Sequence, residues 1–278
     1  MRKFLKISIL AAVSIFFVLA IIMIIWASTL SIPDFQSFEN RKVIQSTKIY
    51  DNTGEILLYD IHQNISRTVI PFDEIPRHVK NATVAIEDSG FYQHHGISWE
   101  AILRAFLVNI GSRKLSQGGS TITQQLVKNT LLTSEKSFTR KIKEVIISLK
   151  IERIFSKEDI LGLYLNEIPY GGSNYGIESA SRYFFGKNTK NLTLAEAAYL
   201  AALPQAPTYY SPYGNHRDEL ENRKNLVLKR MLELGFVSED EMKQAKQKKV
   251  NFISRSEQYI KAPHFVMAVQ DYLTQKYG

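Results

Sequence analysis

The sequence predicts a mainly α fold of the α+β class, with a small N-terminal β element and one N-terminal transmembrane helix. Three observations lead to this prediction: an uncharged apolar run at 7–27, a β-type pattern at 43–59, and helical periodicity with capping signals after Pro71. Of the 278 residues, 45% are hydrophobic and 22% are charged. These values are ordinary for a globular protein, so we expect a sizeable core.

The apolar run 7–27 is the first element. Its 21 residues, at about 1.5 Å each, can span the roughly 30 Å hydrocarbon core of a bilayer. The residues before it include three basic side chains, and the first charge after it is Asp34. The positive-inside rule then places the N-terminus in the cytoplasm and the rest of the chain outside. A cleaved signal peptide is the alternative, although its apolar stretch is usually only about 7–15 residues long.

The β element follows a polar stalk at 31–42. Residues 43–50 and 55–59 are rich in β-branched and aromatic side chains, and the Asp-Asn-Thr-Gly turn at 51–54 separates them. This arrangement predicts a hairpin. Residues 67–70 are a candidate third strand.

Helices account for most of the remaining chain. We predict one from Ser98 to about Ile110, stopped by Gly111, one opened by Ser120, and a long one over about 137–155. Three more begin at capping pairs: Ser156 with Asp159, Thr193 with Glu196 (a helix ended by Pro204), and Ser238 with Glu241. Residues 112–119 lack periodicity and predict a mobile loop.

The charge balance and the absence of cysteine restrict the possible functions. The net charge of +8 favours an acidic partner such as nucleic acid, anionic lipid or a phosphorylated substrate. There is no zinc-finger spacing and no arginine-rich recognition run, and the apolar run makes lipid phosphate the better candidate. Without cysteine, the chain has no disulfide, thiolate chemistry or Cys-based metal site.

Adjacent carboxylates Glu87 and Asp88 are the first candidate site. They follow the apolar run 82–86, and an acid at the end of a buried segment can have its pKa raised by desolvation, which suits a general base. A solvated acid pair at a helix end is the alternative. His94 and His95 nearby lack the spacing of a metal motif, which favours a structural role.

The long helix and the glycine-rich segment before it are the second and third candidates. At 100° per residue, the helix has an apolar face of Ile142, Val145, Ile146 and Leu149. The opposite face carries a possible diphosphate cradle of Lys136, Arg140, Lys143 and Glu144. An ordinary exposed face with i,i+4 charge pairs explains the same pattern. Residues 118–128 place two glycines before a helix N-terminus, a weak phosphate-binding signal without a Walker sequence.

Together these segments resemble the peptidoglycan glycosyltransferases, lysozyme-like enzymes that polymerise lipid II. The resemblance covers about residues 70–250 and rests on five segments that occur in the family's order. They are 87–96 (Glu-Asp-x-x-Phe-x-x-His-x-Gly), 118–125, 140–144 (Arg-Lys-x-x-Glu), 157–166 and 176–187. Three positions depart from the usual pattern. Gly162 and Ser181 replace an acid and an alanine at scaffold positions, and Lys136 stands where relatives carry arginine.

The resemblance implies roles for particular residues. Glu87 would be the base that deprotonates the acceptor's 4-hydroxyl, and Glu144 the second catalytic carboxylate, near the donor's diphosphate. The remaining implied substrate-binding residues support Glu87, line the cleft or hold phosphate: Asp88, Phe91, Ser120, Thr121, Gln124, Gln125, Lys128, Lys136, Arg140 and Lys143. No protein metal site and no required cofactor are expected, although a divalent cation (Mg or Mn) at the diphosphate is compatible with the family.

The resemblance also implies a domain organisation. We expect a cytoplasmic tip and anchor (1–30), a stalk and hairpin (31–70), a glycosyltransferase domain (71–250), and the start of a linker (251–278) to a missing C-terminal domain, as in class A penicillin-binding proteins. Neither Ser-x-x-Lys nor Lys-Thr-Gly occurs, so we expect no transpeptidase site in this chain.

The expected partners and location follow from the same resemblance. The partners are lipid II, the growing glycan, membrane lipid, cell-wall synthesis proteins or a second copy, and not nucleic acid. The location is the bacterial cytoplasmic membrane, with the helix at 101–110 as a membrane-dipping segment or an ordinary core helix. A lytic, lysozyme-like hydrolase and a non-catalytic scaffold are the rival functions, and the clustered Lys and Arg argue against the hydrolase.

Overall fold

The computed structural model describes residues 2–28, 47–54, 57–61, 66–112, 118–132, 137–254 and 262–277. These residues form a mainly helical protein with few and short strands, which confirms the predicted fold class at that level. The helices are α1 (Arg2–Ser28), α2 (Arg77–Glu87), α3 (Trp99–Ser112), α4 (Ile122–Thr130), α5 (Phe138–Ile154), α6 (Lys157–Glu167), α7 (Ile177–Phe185), α8 (Leu194–Ala202), α9 (Arg217–Glu233), α10 (Glu239–Gln247) and α11 (Pro263–Tyr277).

The N-terminal helix α1 has 27 residues and includes the apolar run 7–27. Within the parts of the chain that the structure describes, no helix was found to be long and apolar enough to cross a membrane. The transmembrane assignment therefore stays a prediction.

In the part of the chain that the structure describes, five short strands form two separate sheets. β1 (Thr47–Tyr50) and β2 (Leu57–Ile61) pair antiparallel, as predicted for the hairpin. The candidate third strand at 67–70 is confirmed only at Arg67, so its predicted extent is wrong. β3 is Ser66–Arg67, and it pairs in parallel with β5 (Asn174–Tyr175), which also pairs with β4 (Pro169–Gly171). Its partner lies a hundred residues along the chain, beyond the reach of a local pattern.

Most helix starts agree with the predicted caps. Ser156, Thr193 and Ser238 each form a capping box with the acid three residues later, which satisfies backbone N–H groups of the first turn. Two boundaries differ. Thr121, not Ser120, caps α4, and α3 continues through Gly111 to Ser112. The predicted mobile loop at 112–119 lies mostly outside the described residues.

Two groups of helices enclose the core. Helices α4, α5 and α6 pack on one another, and helices α2, α8 and α9 form the second group. Fully buried Phe91, Leu126 and Tyr164 belong to the same apolar cluster as Val227 and Met231 of α9. The C-terminal end of α2 lies where the two groups meet, so a residue there can contact both.

The buried face of α5 is not the one that the sequence pattern indicated. Of the predicted apolar face, Leu149 is exposed and the other three residues are only half-buried. Ile147, Ser148 and Ile151 are fully buried, and Glu144 is nearly so. The prediction was wrong because α5 turns its glutamate toward the interior, and the small Ser148 allows close packing on that side.

The turn before α7 depends on a glycine. Gly176 has a φ of 80° and is hydrogen-bonded to the Ile168 carbonyl. A Cβ at this position would lie 2.6 Å from the carbonyl oxygen of Asn166. The side-chain amide of Asn166 in turn bonds both backbone groups of Ile70. Gly176 therefore lets α6, the turn and the segment before α2 approach closely.

Gly176→Ala is expected to destabilise the fold by about 2–4 kcal/mol, because the strain of a positive φ adds to a backbone clash. The measurement is the thermal unfolding midpoint. Gly235→Ala is the matched control: Gly235 has a φ of 68°, and nothing lies within 4 Å of its added Cβ, so this variant carries the strain alone. Equal losses of stability in the two variants would contradict a role for the close approach at Gly176.

Candidate active site

The acid pair borders a polar cleft of about 210 Å³. The cleft is lined by α2's last residue and the segment that follows it, by the start of α3, by the residues before α4, and by Leu234. Besides Glu87 and Asp88, its polar and charged lining includes Ser89, Gln93, Ser98, Glu100, Arg104, Ser120 and Thr121. The structure thus brings the first two predicted segments together at one cleft.

Glu87 ends α2, and its side chain is only 8% exposed. Gln125 Nε2 donates to its Oε2 at 2.7 Å, and Arg223 Nη2 lies 3.6 Å from its Oε1. That Oε1 is buried and has no hydrogen-bond partner among the residues that the structure describes. Burial raises the pKa of the Glu87 carboxyl, and the Gln125 hydrogen bond and the charges of Arg223 and Lys128 oppose this rise.

Asp88 has a different role, because its oxygens are already engaged. His94 Nε2 lies 2.9 Å from Asp88 Oδ2, and the same oxygen accepts the Ile122 backbone N–H at 3.0 Å. Asp88 therefore attaches the first turn of α4 to the end of α2. His94 has the hydrogen-bonded role that its sequence context favoured, and His95 is exposed.

Phe91 is fully buried, with its ring edge-on to His94 and Lys157 Nζ 4.5 Å from its centroid. Phe91 packs behind the acid pair, which is compatible with the expected support of Glu87. Its assignment to the substrate-binding set stays a prediction.

The start of α4 contains four predicted site residues with different placements. Thr121 and Gln124 form a capping box with each other, and the Thr121 hydroxyl donates to the Gly96 carbonyl at 2.7 Å. The side chain of Gln124 is buried in this box, and its predicted place in the lining of the cleft stays a prediction. Ser120 lines the cleft, and Gln125 contacts Glu87.

The second carboxylate, Glu144, is 3% exposed and forms an ion pair with Lys141. Lys141 Nζ also donates to Ser120 Oγ at 3.0 Å. Lys141 therefore connects Glu144 to a residue of the cleft wall. Sequence reasoning placed Lys141 in the third segment but gave it no role, whereas Arg140 and Lys143 were expected to face the substrate.

The other predicted cations differ in their exposure and in whether the structure describes them. Lys128, in the last turn of α4, is exposed, and its charge acts on Glu87. Arg140 and Lys143 are half-buried on α5. Lys136 lies outside the described residues. No cluster of three or more His, Asp or Glu suited to a metal ion was found in the described parts of the chain.

The structure places two further residues near Glu87 to which the sequence prediction gave no role. The Tyr164 hydroxyl donates to Gln125 Oε1 at 3.3 Å, which orients the Gln125 amide so that its NH₂ faces Glu87. Tyr164 lies in the fourth segment, where its hydroxyl in an apolar run was the available signal. Arg223 lies on α9, outside all five segments, and no local pattern marks it.

A buried carboxylate at a polar cleft, with one oxygen hydrogen-bonded and the other without a hydrogen-bond partner among the described residues, is the arrangement of an acid–base enzyme. Comparison with known proteins identifies the family to which the chain belongs. The Transglycosylase family model matches residues 54–232, so the chain belongs to the Transglycosylase family. The resemblance recognised in the five segments is confirmed.

Penicillin-binding proteins are among the relatives of this chain. Over 248 residues the chain is 43% identical to penicillin-binding protein 1A of Aquifex aeolicus, covering 89% of this chain and 34% of the relative. It is 36% identical over 259 residues to penicillin-binding protein 1A of Rickettsia bellii, covering 92% of this chain and 32% of the relative. This chain thus spans about a third of the length of these relatives.

A solved structure, that of penicillin-binding protein 1A from Haemophilus influenzae, matches with a TM-score of 0.47 and 22% identity. The match covers 85% of this chain and 25% of that one.

Proposed function

We propose that this chain is a peptidoglycan glycosyltransferase, which polymerises lipid II into β-1,4 glycan strands with inversion and releases polyprenyl diphosphate. Membership of the Transglycosylase family supports this reaction class. The observation that carries the proposal is Glu87. It is a buried carboxylate at the edge of a cleft, with one oxygen held by Gln125 and the other without a hydrogen-bond partner among the described residues.

In the proposed reaction, Glu87 acts as general base. Its Oε1, which makes no hydrogen bond among the described residues, takes the proton of the acceptor's 4-hydroxyl as the hydroxyl oxygen attacks the donor's anomeric carbon. A carboxyl whose pKa is raised by burial is a stronger base than an exposed one. The hydrogen bond from Gln125 keeps the carboxylate from rotating away, which preserves its alignment.

The leaving group in this reaction is a lipid diphosphate, which departs readily once its charge is neutralised. It therefore needs cations more than a general acid. We assign this role to Lys141, held by Glu144 beside Ser120, together with Lys128, Arg140, Lys143 and Lys136. The charge of Glu144 orients Lys141 rather than reacting.

A divalent cation is an additional element of the proposal, and the protein supplies little to hold it. Glu144 is the carboxylate nearest the proposed diphosphate position, and Lys141 already occupies it. Any Mg or Mn would be bound mainly by the substrate's phosphate oxygens, where it would add positive charge at the leaving group.

We further propose a lysozyme-like fold and a single-pass anchor at 7–27 in the bacterial cytoplasmic membrane, with the N-terminus inside. The uncharged sequence and the helical conformation of Arg2–Ser28 support the anchor. On α3, the exposed Trp99 and Leu103 are suited to contact with the membrane surface, where the substrate's polyprenyl tail lies.

Incubating the purified chain in detergent with fluorescent lipid II tests the proposal. The expected result is a ladder of glycan strands that a muramidase digests, with polyprenyl diphosphate released. EDTA is expected to slow the reaction without abolishing it. Cleavage of preformed peptidoglycan without use of lipid II would instead support the lytic hydrolase, and binding of lipid II without turnover would support the scaffold.

A further inference from the structure

Arg223 lies at the meeting point of the two helix groups, with its guanidinium held on three sides. Its Nε donates to the carbonyl of Ala202, the last residue of α8, at 2.9 Å. Its Nη2 lies 3.6 Å from Glu87 Oε1, and its Cζ lies 5.4 Å from the centre of the Tyr210 ring. The side chain is 12% exposed. These contacts fix the position of a permanent positive charge beside Glu87.

The contact between Arg223 and Glu87 is close enough for strong attraction but longer than a hydrogen bond. Opposite charges about 4 Å apart interact strongly in a partly desolvated site. A hydrogen bond at Oε1 would occupy the lone pair that a base needs, and none is made among the described residues. The arrangement therefore favours the ionised carboxylate and leaves Oε1 available.

We propose that Arg223 is a positioning residue for Glu87, holding it as a carboxylate without occupying the Oε1 lone pair that takes the acceptor's hydroxyl proton. This proposal rests on the proposed function of Glu87 as general base. Arg223 itself touches no reacting atom and acts only through the carboxylate. Its backbone anchor at Ala202 explains why an arginine suits the position, since Nε can bond the helix end while Nη2 faces Glu87.

The other groups that face Glu87 cannot supply the same effect. Gln125, from α4, is neutral and holds Oε2. Lys128, from the same helix, is exposed, so solvent screens its charge. Asp88 opposes ionisation of Glu87, and the buried hydroxyls of Tyr164 and Tyr170 are neutral. Arg223 is thus the main buried cation at this carboxylate among the residues described.

The test is the pH dependence of kcat/KM for lipid II polymerisation by the full chain. Arg223→Met is expected to move the acid limb of the profile up by about 1–2 pH units, so that the activity lost on the acid side returns as the pH rises. Arg223→Lys retains the charge, and its acid limb is expected close to that of the wild type. Arg230→Met, on the same helix with an exposed ion pair to Glu233, is the matched control and should leave the profile unchanged.

A purely structural role gives a different result. If Arg223 only joins α8 to α9, Arg223→Met lowers the rate equally at every pH and the acid limb stays in place, which would overturn the proposal. Failure of both Arg223→Met and Arg223→Lys to fold would overturn it as well, because the charge retained in the lysine variant should preserve a role that depends on charge.

A second readout is independent of activity. Thermal unfolding midpoints at pH 8 are compared for the wild type, Glu87→Gln, Arg223→Met and the double variant. The decrease in unfolding midpoint caused by Arg223→Met is expected to be much smaller in the Glu87→Gln background, because the carboxylate charge that Arg223 attracts is absent there. Equal losses in both backgrounds would refute the coupling. If the wild type fails to polymerise lipid II, the proposed function is wrong, and this cycle still decides whether Arg223 acts on Glu87.

Discussion

Glu87→Gln is expected to lower the rate of lipid II polymerisation by about 10²- to 10⁴-fold, the usual contribution of a general base. The amide nearly matches the carboxylate in shape, so the cleft and the contact with Gln125 can persist while the proton acceptor is lost. The measurement is single-turnover extension of labelled lipid II. Because only the chemical step is impaired, substrate binding is expected to change little.

The stability of the Glu87→Gln protein distinguishes a lost base from a lost fold. The folded-state pKa of Glu87 is raised above its unfolded value, so the stability that this group contributes is present below the unfolded pKa. That contribution is lost as pH rises through the folded pKa. The ionised carboxylate therefore stabilises the fold less than the protonated acid does, and the amide, which resembles the protonated acid, should unfold at the same temperature as the wild type or higher.

Glu158→Gln is the matched control for the same chemical change, because Glu158 is exposed on α6. Its activity should stay within about twofold of the wild type, as for a surface substitution away from the site. Full activity in Glu87→Gln, with Glu158→Gln also active, would exclude Glu87 as the base.

Glu144→Gln is expected to lower the rate by about 10²- to 10³-fold, the loss typical of removing one preorganised charge from an active site. Glu144 is buried and holds the half-exposed Lys141 beside Ser120. Without the carboxylate, the lysine is released to solvent and no longer lies where the proposed diphosphate leaves. We expect a fall in kcat, measured with saturating lipid II.

A double-variant comparison tests whether Glu144 works through Lys141. Lys141→Met should be about as defective as Glu144→Gln, and the combination should be little worse than either, because the two side chains act as one unit. Lys150→Met, which removes an exposed cation from the same helix, is the control and should retain activity. If Glu144→Gln is active, or if the rate reductions of the two single variants multiply in the double variant, Glu144 does not act by holding Lys141.

Local signals predicted the elements better than their orientation. The capping boxes at Ser156, Thr193 and Ser238 were predictable because a cap needs only residues within one turn. The rotation of α5 about its axis was not predictable, because its apolar residues occupy most of its circumference. Periodicity therefore cannot identify the buried side. Which face is buried is decided by α4 and α6, which pack around it.

For the candidate site, the sequence alone determined the family, because five ordered segments carry the family pattern and the family model confirms it. The assignment of the two carboxylates stays a prediction. Only the tertiary structure decided which groups act on those carboxylates. It placed Gln125 and Arg223 on either side of Glu87, and Lys141 rather than Arg140 or Lys143 against Glu144. Local patterns follow from short-range sterics and hydrogen bonds, whereas charges from distant helices meet only when the chain packs.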